Sequence, residues 1–485
     1  MIEIKTKVHD NFSIEFKQSF VVNDKVKKNN FAVNTWIFVP NSLDINPFTY
    51  GKDQFYRDVK SNVRLITPVF LLRDIALNQH TPLTNLRKAM SELASAPDKG
   101  KTIEYEYQIK MYCAISKSAM RDEVFHIYKT KEKSDCLYLT QEYLNNVKSI
   151  LSAYRSLKQI INVPTVSDGV RDFFSFGDEY LGHIASIYTI RILQKIESVE
   201  RHGDIRDHIA DFLKENENYK IECGYPIVSK EDDTLNRNLV YRHGMLKKFI
   251  ESVLFIKLDK KKDGVAVEQM LYAIAAGIAM IFATVISFFA QKTFGSLSIP
   301  LFIILIISYM LKDRIKDLTR YYFAHKLGDN FFDNKAVIKI KDADVGWIKE
   351  GVDFINDSKT PKEVLNIRNR TTLLRAENTI FDEKIILYRK MVYINSQKLA
   401  ANYDYPISGI NDIFRIHVTR FTQKMDNPDQ SLSIINDNGG IDVVVSQKIY
   451  YLNIIMQVRY EEHIEYKRFR LVMTRDGIQS VEEIN

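Results

Sequence analysis

The spacing of apolar residues divides the chain into five regions. Residues 1–40 alternate apolar and polar positions in IEIKTK, FSIEFKQSFVV and FAVNTWIFV, the two-residue period of half-buried strands. Past residue 53 the spacing changes. DQFYRDVKSNVRLITPVFLLRDIAL and TPLTNLRKAMSELASA read as helices, with Pro68 as a break. TIEYEYQIKMYCAISKSAM starts like a strand and continues like a helix, and the charge-rich KTKEKSD at 129–135 closes a mixed region over 1–130. Over 137–260, segments near 141–161, 168–197, 204–215 and 234–258 carry apolar residues three and four apart, which predicts a helical bundle.

The centre of the chain has no polar face. Met270 to Ala290 contains no charged residue and, as a helix, is about 30 Å long, the depth of a bilayer's hydrocarbon core. A second uncharged run, Leu297 to Leu311, reaches about 27 Å if extended back to Phe294. The pattern therefore predicts a two-helix transmembrane hairpin over 269–311, with spans 269–290 and 294–311. Pro300 falls in the first turn of the second helix, where its missing N–H costs little. Small residues four apart (Ala275, Ala279, Ala283 and Ser287, with Ala273 and Gly277 in a second row) suit close helix packing, within the hairpin or between copies. The pattern then continues as an amphipathic stalk, 312–329, stopping at Gly328.

Beyond residue 330 the chain reads as a β-rich domain, 330–485. KIILYRKMVYI, IFRIHVTRF, LSII, IDVVV, YYLNIIMQV and YKRFRLVM are strand-like, and Asn438-Gly439-Gly440 is a hairpin turn. The lead-in, with WIKEGVDFI and PKEVLNIRNRTTLLRA, has helical character. The fold class expected is an α+β membrane protein: a transmembrane hairpin between an N-terminal mixed and helical region and a C-terminal antiparallel-β domain.

Charge orients this arrangement. Lys257, Lys260, Lys261 and Lys262 precede the apolar centre, Lys312, Arg314, Lys316, Arg320 and Lys326 follow it, and Lys292 alone lies in the connection. Basic residues resist translocation, so both flanks, and with them both termini, are expected on the cytoplasmic side. Overall, 68 Lys+Arg against 61 Asp+Glu is too small an excess for a phosphate-backbone binder, so no nucleic-acid partner is expected. Three scattered cysteines, Cys113, Cys136 and Cys223, form no disulfide framework and fit a reducing compartment.

Candidate chemistry is sparse. No P-loop, GxGxxG, GxSxG or HExxH is present. RHGDIRDHIADF groups His202, Asp204, Asp207, His208 and Asp211, ligand types for a divalent metal but equally the capped entry of a helix. Glu179 and His183 are four apart on a predicted helix. Glu461-Glu462-His463 lies between two strands and reads as a solvated turn, while Arg368, Arg370 and Arg375 form a basic cluster able to take phosphate or an acidic headgroup. None of these fixes a catalytic residue, a metal site or a cofactor. The expectation is a membrane protein with large sensing or interaction modules, its partners the lipid bilayer and a protein partner or further copies of itself. A membrane-tethered enzyme with a scattered active site and an oligomeric pore are the other classes considered.

Overall fold

A computed structural model describes residues 1–77, 81–197, 203–295, 298–328, 332–340, 343–380, 383–401 and 404–484. In chain order the elements are β1 (Ile2–Asp10), β2 (Ser13–Val21), β3 (Lys28–Val39), α1 (Lys52–Asp58), β4 (Val59–Leu65), α2 (Leu72–Ala76), α3 (Thr81–Ser95), α4 (Lys99–Lys129), α5 (Lys133–Ser156), α6 (Lys158–Ile161), α7 (Asp168–Glu197), α8 (Gly203–Glu222), α9 (Asp233–Glu251) and β5 (Lys257–Lys262). There follow α10 (Val265–Phe294), α11 (Ile299–Gly328), β6 (Asn334–Ile340), β7 (Ala343–Ile355), α12 (Lys362–Arg368), α13 (Thr372–Ile380), β8 (Lys384–Asn395), α14 (Ser396–Ala401), β9 (Gly409–His417), α15 (Thr419–Thr422), β10 (Asp429–Ile435), β11 (Ile441–Gln447), β12 (Tyr450–Tyr460), β13 (His463–Thr474) and β14 (Gly477–Ile484). They form two compact units, neither of them a continuous stretch: Met1–Val63 with Ile256–Asn402 and Gly409–Asn485, and Arg64–Phe255 with Tyr403–Ser408.

The first unit is built on an eight-stranded sheet, β14-β13-β12-β3-β8-β7-β6-β5, and a four-stranded one, β1-β2-β9-β4. Strand alternation gives the large sheet two dissimilar faces. On one face Phe31, Tyr388 and Phe469 meet Phe16, Phe20 and Phe414 of the small sheet, with Phe16 stacked on Phe414 at 5.0 Å and edge-on to Phe469 at 5.8 Å. On the other, Trp36, Phe38, Ile385 and Ile455 pack with Val364 of α12. The strands WIKEGVDFI and its neighbours correct the helical expectation for that segment: it lies in β7, between β6 and β8. Its apolar residues satisfy a helical period, but sheet pairing on both edges takes them instead. Gly346 is required there, because a Cβ would lie 2.1 Å from the Tyr393 carbonyl oxygen.

The phenylalanine-lined interior also holds charge. Lys390 of β8 and Asp412 of β9 are almost wholly buried, and Glu350 of β7 is opposite Lys390 in the register. The ammonium bonds Asp412 directly and sits 3.3 Å from Glu350, whose second neighbour is Lys260 at 3.8 Å. Asp412 also accepts from the Ser61 hydroxyl at 2.8 Å. Burial pulls Lys390 toward neutrality, but Asp412 and Glu350 outweigh it and hold its affinity for the proton above the ordinary lysine value.

The second unit is helical. Within it α4 packs on α3, α7 and α9, and α5 on α7 and α8. Its centre is aromatic: Tyr112, Tyr154 and Phe174 stack in series at 5.6 and 4.6 Å, and the Tyr154 hydroxyl donates to the Phe174 carbonyl at 3.0 Å.

The expected pair of transmembrane spans is not upheld. Among the described residues one helix, α10, is long and apolar enough to cross a bilayer. In α11 the uncharged stretch Ile299–Leu311 is thirteen residues, about 20 Å, and Lys312, Asp313, Arg314, Lys316, Asp317 and Arg320 follow in the same unbroken helix. This charged half meets α10 near the start of its uncharged stretch: the Arg320 guanidinium lies 5.3 Å from the Tyr272 ring centroid. Ala275 and Ala279, the small-residue ridge, are buried where α10 packs on α11, whereas Ala273 and Gly277 are exposed. The flanking strands β5 and β6 pair with each other, Lys257 opposite Lys339 and Lys262 opposite Asn334, so the chain leaves and re-enters the large sheet at one place.

Candidate functional site

The sheet face that α12 partly covers continues into an open cavity of about 470 Å³, within the range of small-ligand sites. Three arginines line it, and the fold explains each. Arg368 ends α12, whose Val364 is anchored in the Trp36–Phe38 cluster, and Asn369 then turns the chain through a left-handed conformation. Arg468 and Arg470 are two apart on β13 and so project to the same face, opposite Ile455 and Asn453 of β12.

Their charges are unequally matched. Arg368, 6% exposed, donates to Glu383 at 3.0 Å, and Glu383 is shared with Arg370 at 2.9 Å. Arg370 also pairs with Asp357 at 2.9 Å. Arg470 pairs with Glu482 at 2.9 Å and lies over Tyr451. Arg468 donates to two neutral oxygens, the Ile367 carbonyl at 2.9 Å and the Asn453 amide oxygen at 3.3 Å. The buried Nε atoms of Arg368 and Arg468 have no hydrogen-bond partner among the described residues. Burial, together with Arg368 and Arg470 nearby, lowers the proton affinity of Arg468 from its ordinary value. The cavity lining therefore sets three guanidiniums against one carboxylate, that of Glu383, with the neutral side chains of Asn41, Ser42 and Asn453 beside them.

Of the basic cluster read in the sequence, Arg368 lines this cavity, Arg370 is engaged with Asp357 and Glu383, and Arg375 is exposed on α13. Arg468 and Arg470 were missed. Their Arg-x-Arg spacing within YKRFRLVM marks one strand face, but nothing local shows which helix end meets it.

The other candidates fall elsewhere. His202 lies outside the described residues, and Asp204 is in the first turn of α8. His208 Nδ1 is 3.0 Å from the Gln141 side-chain oxygen, while Asp207 and Asp211 are exposed. Among the described residues no three His, Cys, Asp or Glu side chains are grouped to hold a metal ion. Glu461 and Glu462 form the two-residue turn of the β12–β13 hairpin, Glu461 left-handed, with Tyr460 opposite His463.

Glu179 and His183 diverge in their partners. Glu179 is buried and takes a two-point pairing from Arg242, with contacts of 2.7 and 2.6 Å. His183 instead stacks on His243, ring centroids 3.5 Å apart. Burial, then the His243 and Lys220 charges, push His183 down to about 3, and burial also lowers His243 despite Glu179 nearby. Because the folded state resists protonation here, the stacked pair contributes stability that is intact above pH 6.5, the ordinary histidine value, and is lost progressively as pH falls toward 3. Thermal melting followed by far-ultraviolet circular dichroism should show His183→Gln less sensitive to acidification between pH 7 and 5 than the native chain. Equal sensitivity would show that the pair does not titrate this way.

Comparison with protein-family models, with curated proteins and with solved structures finds no match to this chain.

Proposed function

We propose that the protein is a membrane-associated binding protein, seated in a lipid bilayer by α10, with its two compact units serving as sensing or interaction modules rather than as an enzyme. The observation that carries this reading is the outward surface of α10. Ile274, Ile278, Ile281, Val285, Phe288 and Phe289 are all exposed, an apolar area no ordinary water-facing helix presents. On α11, Phe302, Ile303, Ile306 and Ile307 extend it. A bilayer is the solvent that such a surface fits, and α11 enters only as far as its uncharged residues allow. The lysines of β5 and the basic residues after Leu311 favour placing the first unit, and both termini, on the cytoplasmic face.

Flotation of the purified chain with neutral phosphatidylcholine vesicles tests this. The expected result is co-flotation that survives high salt, since the attachment is apolar. A chain that stays in the aqueous layer, or one that forms a lipid-free dimer covering α10, would overturn it.

A further inference from the structure

The arginine cavity carries charge that the protein does not use for itself. In a buried setting an arginine normally meets a carboxylate, because an unmatched charge there is costly. Arg370 and Arg470 obey this, each with its own carboxylate, and Arg368 shares Glu383. Arg468 does not: the side-chain atom placed to receive it belongs to Asn453, an isosteric amide where aspartate would have closed the pair. Asn453 is itself 2% exposed, so this neutral partner is held in place by the sheet. The geometry leaves the Arg468 guanidinium, at the wall of an open cavity, with neutral partners only among the described residues, and Arg368 lines the same cavity.

From this arrangement we infer that the cavity binds an organic phosphate, with Arg468 and Arg368 holding the phosphoryl oxygens and the rest of the molecule resting against Tyr451 and Leu374. A single carboxylate would occupy one guanidinium fork. A tetrahedral phosphoryl group has the oxygens to satisfy two forks together with amide and hydroxyl donors such as Asn41 and Ser42. The cavity, about 470 Å³, is also far larger than a bare phosphate, which leaves room for the body that carries it. The same chemistry is offered by a soluble phosphorylated metabolite and by a phosphorylated lipid headgroup. The inference does not depend on α10 entering a bilayer.

The test uses the full chain and two variants. Arg468→Gln removes the unneutralised guanidinium, while Asn453→Asp leaves it in place and supplies the missing carboxylate. The probes are inositol trisphosphate and AMP in solution, followed by calorimetry and thermal shift, and phosphatidylcholine vesicles compared with and without a phosphatidylinositol phosphate. Binding of a soluble probe by the native chain, weakened about tenfold to a hundredfold in Arg468→Gln, is the expected result. The same loss is expected in Asn453→Asp, which should melt no lower than the native chain. That pairing separates a ligand role from a structural one, since a merely structural Arg468 would be served as well or better by aspartate. Tighter vesicle binding caused by the phosphoinositide alone, again abolished by Asn453→Asp, would assign the headgroup source. If no probe binds in either format, or if Asn453→Asp binds as the native chain does, the inference is wrong.

Discussion

Replacing Lys390 by methionine is expected to destabilise the first unit by about 3–5 kcal/mol, the cost of removing one member of a buried ionic group. The chain offers a selective probe: its two tryptophans, Trp36 and Trp347, both lie in the large sheet of that unit. Urea unfolding followed by their fluorescence therefore reports this unit and not the helical one. The size of the effect follows from what the lysine leaves behind. Asp412 is fully buried and would keep the Ser61 hydroxyl but no cation among the described residues, and Glu350 would keep the Tyr388 hydroxyl and the more distant Lys260. Asp412 would then lie in the phenylalanine-lined interior without a cation, and Glu350 would have only its more distant one. Adding Asp412→Leu to Lys390→Met should recover the part of the loss that comes from Asp412, because a well-packed apolar pair in the same volume is often no less stable than the ions it replaces. A loss below about 1 kcal/mol in Lys390→Met would mean that this lysine does not offset buried charge at the site. Acid should act in the same direction. Burial raises the Glu350 carboxyl, but Lys390 and Lys260 outweigh it and hold it below its ordinary value, so its contribution is present at neutral pH and fades as pH drops through the carboxylate range.

What the sequence disclosed depended on whether its local period matched the surface that finally buried each segment. The alternation in FAVNTWIFV and YKRFRLVM is visible because β3 and β13 separate two different environments, the phenylalanine core and the α12-covered face. The helix over 168–197 is legible from its three- and four-residue spacing, whereas the one expected over 234–258 ends at Glu251 and Lys257–Lys262 forms β5. The ambiguous TIEYEYQIKMYCAISKSAM is helical throughout α4; its Glu-Tyr alternation imitates a strand, and Tyr105, Ile109, Tyr112 and Cys113 are buried on so wide a front that no polar stripe remains. Segment VKSNVRL was absorbed into a helical reading but forms β4, an edge strand beside β9. Pairing was out of reach altogether. Trp36 lies opposite Ile455, and Phe16 opposite Phe414, partners some four hundred residues apart whose meeting no local pattern announces. The candidate site failed for the same reason: Arg368 and Arg468 belong to different elements, and each alone looks like ordinary surface charge. The central apolar run misled differently. The run from Leu297 to Leu311 does lack charge, but the helix built on it continues into a charged second half, with Arg320 beside Tyr272 of α10, and its uncharged part is shorter than a span.

The second large effect concerns α10 itself. Two aspartates, Ile278→Asp with Ile281→Asp, are expected to take the chain off phosphatidylcholine vesicles. Both positions are exposed, near the middle of the uncharged stretch Met270 to Ala290. An aspartate at the centre of a membrane helix costs about 2.5–3.5 kcal/mol, and each lost isoleucine gives up a further few tenths, so the pair should cost about 6 kcal/mol or more. That is roughly four decades in partition, enough to move the protein from the floating fraction to the aqueous one. The fold should be indifferent, because neither isoleucine is buried against protein, and tryptophan fluorescence of the first unit should match the native chain. Ala279→Leu supplies the opposite control. Ala279 is buried where α10 packs on α11, so a larger side chain should disturb the helix pair while leaving the outward surface as apolar as before. Flotation retained by Ala279→Leu and lost by the double aspartate would locate the attachment on the outer face of α10. If the double aspartate floats as well as the native chain, lipid is not what covers that face.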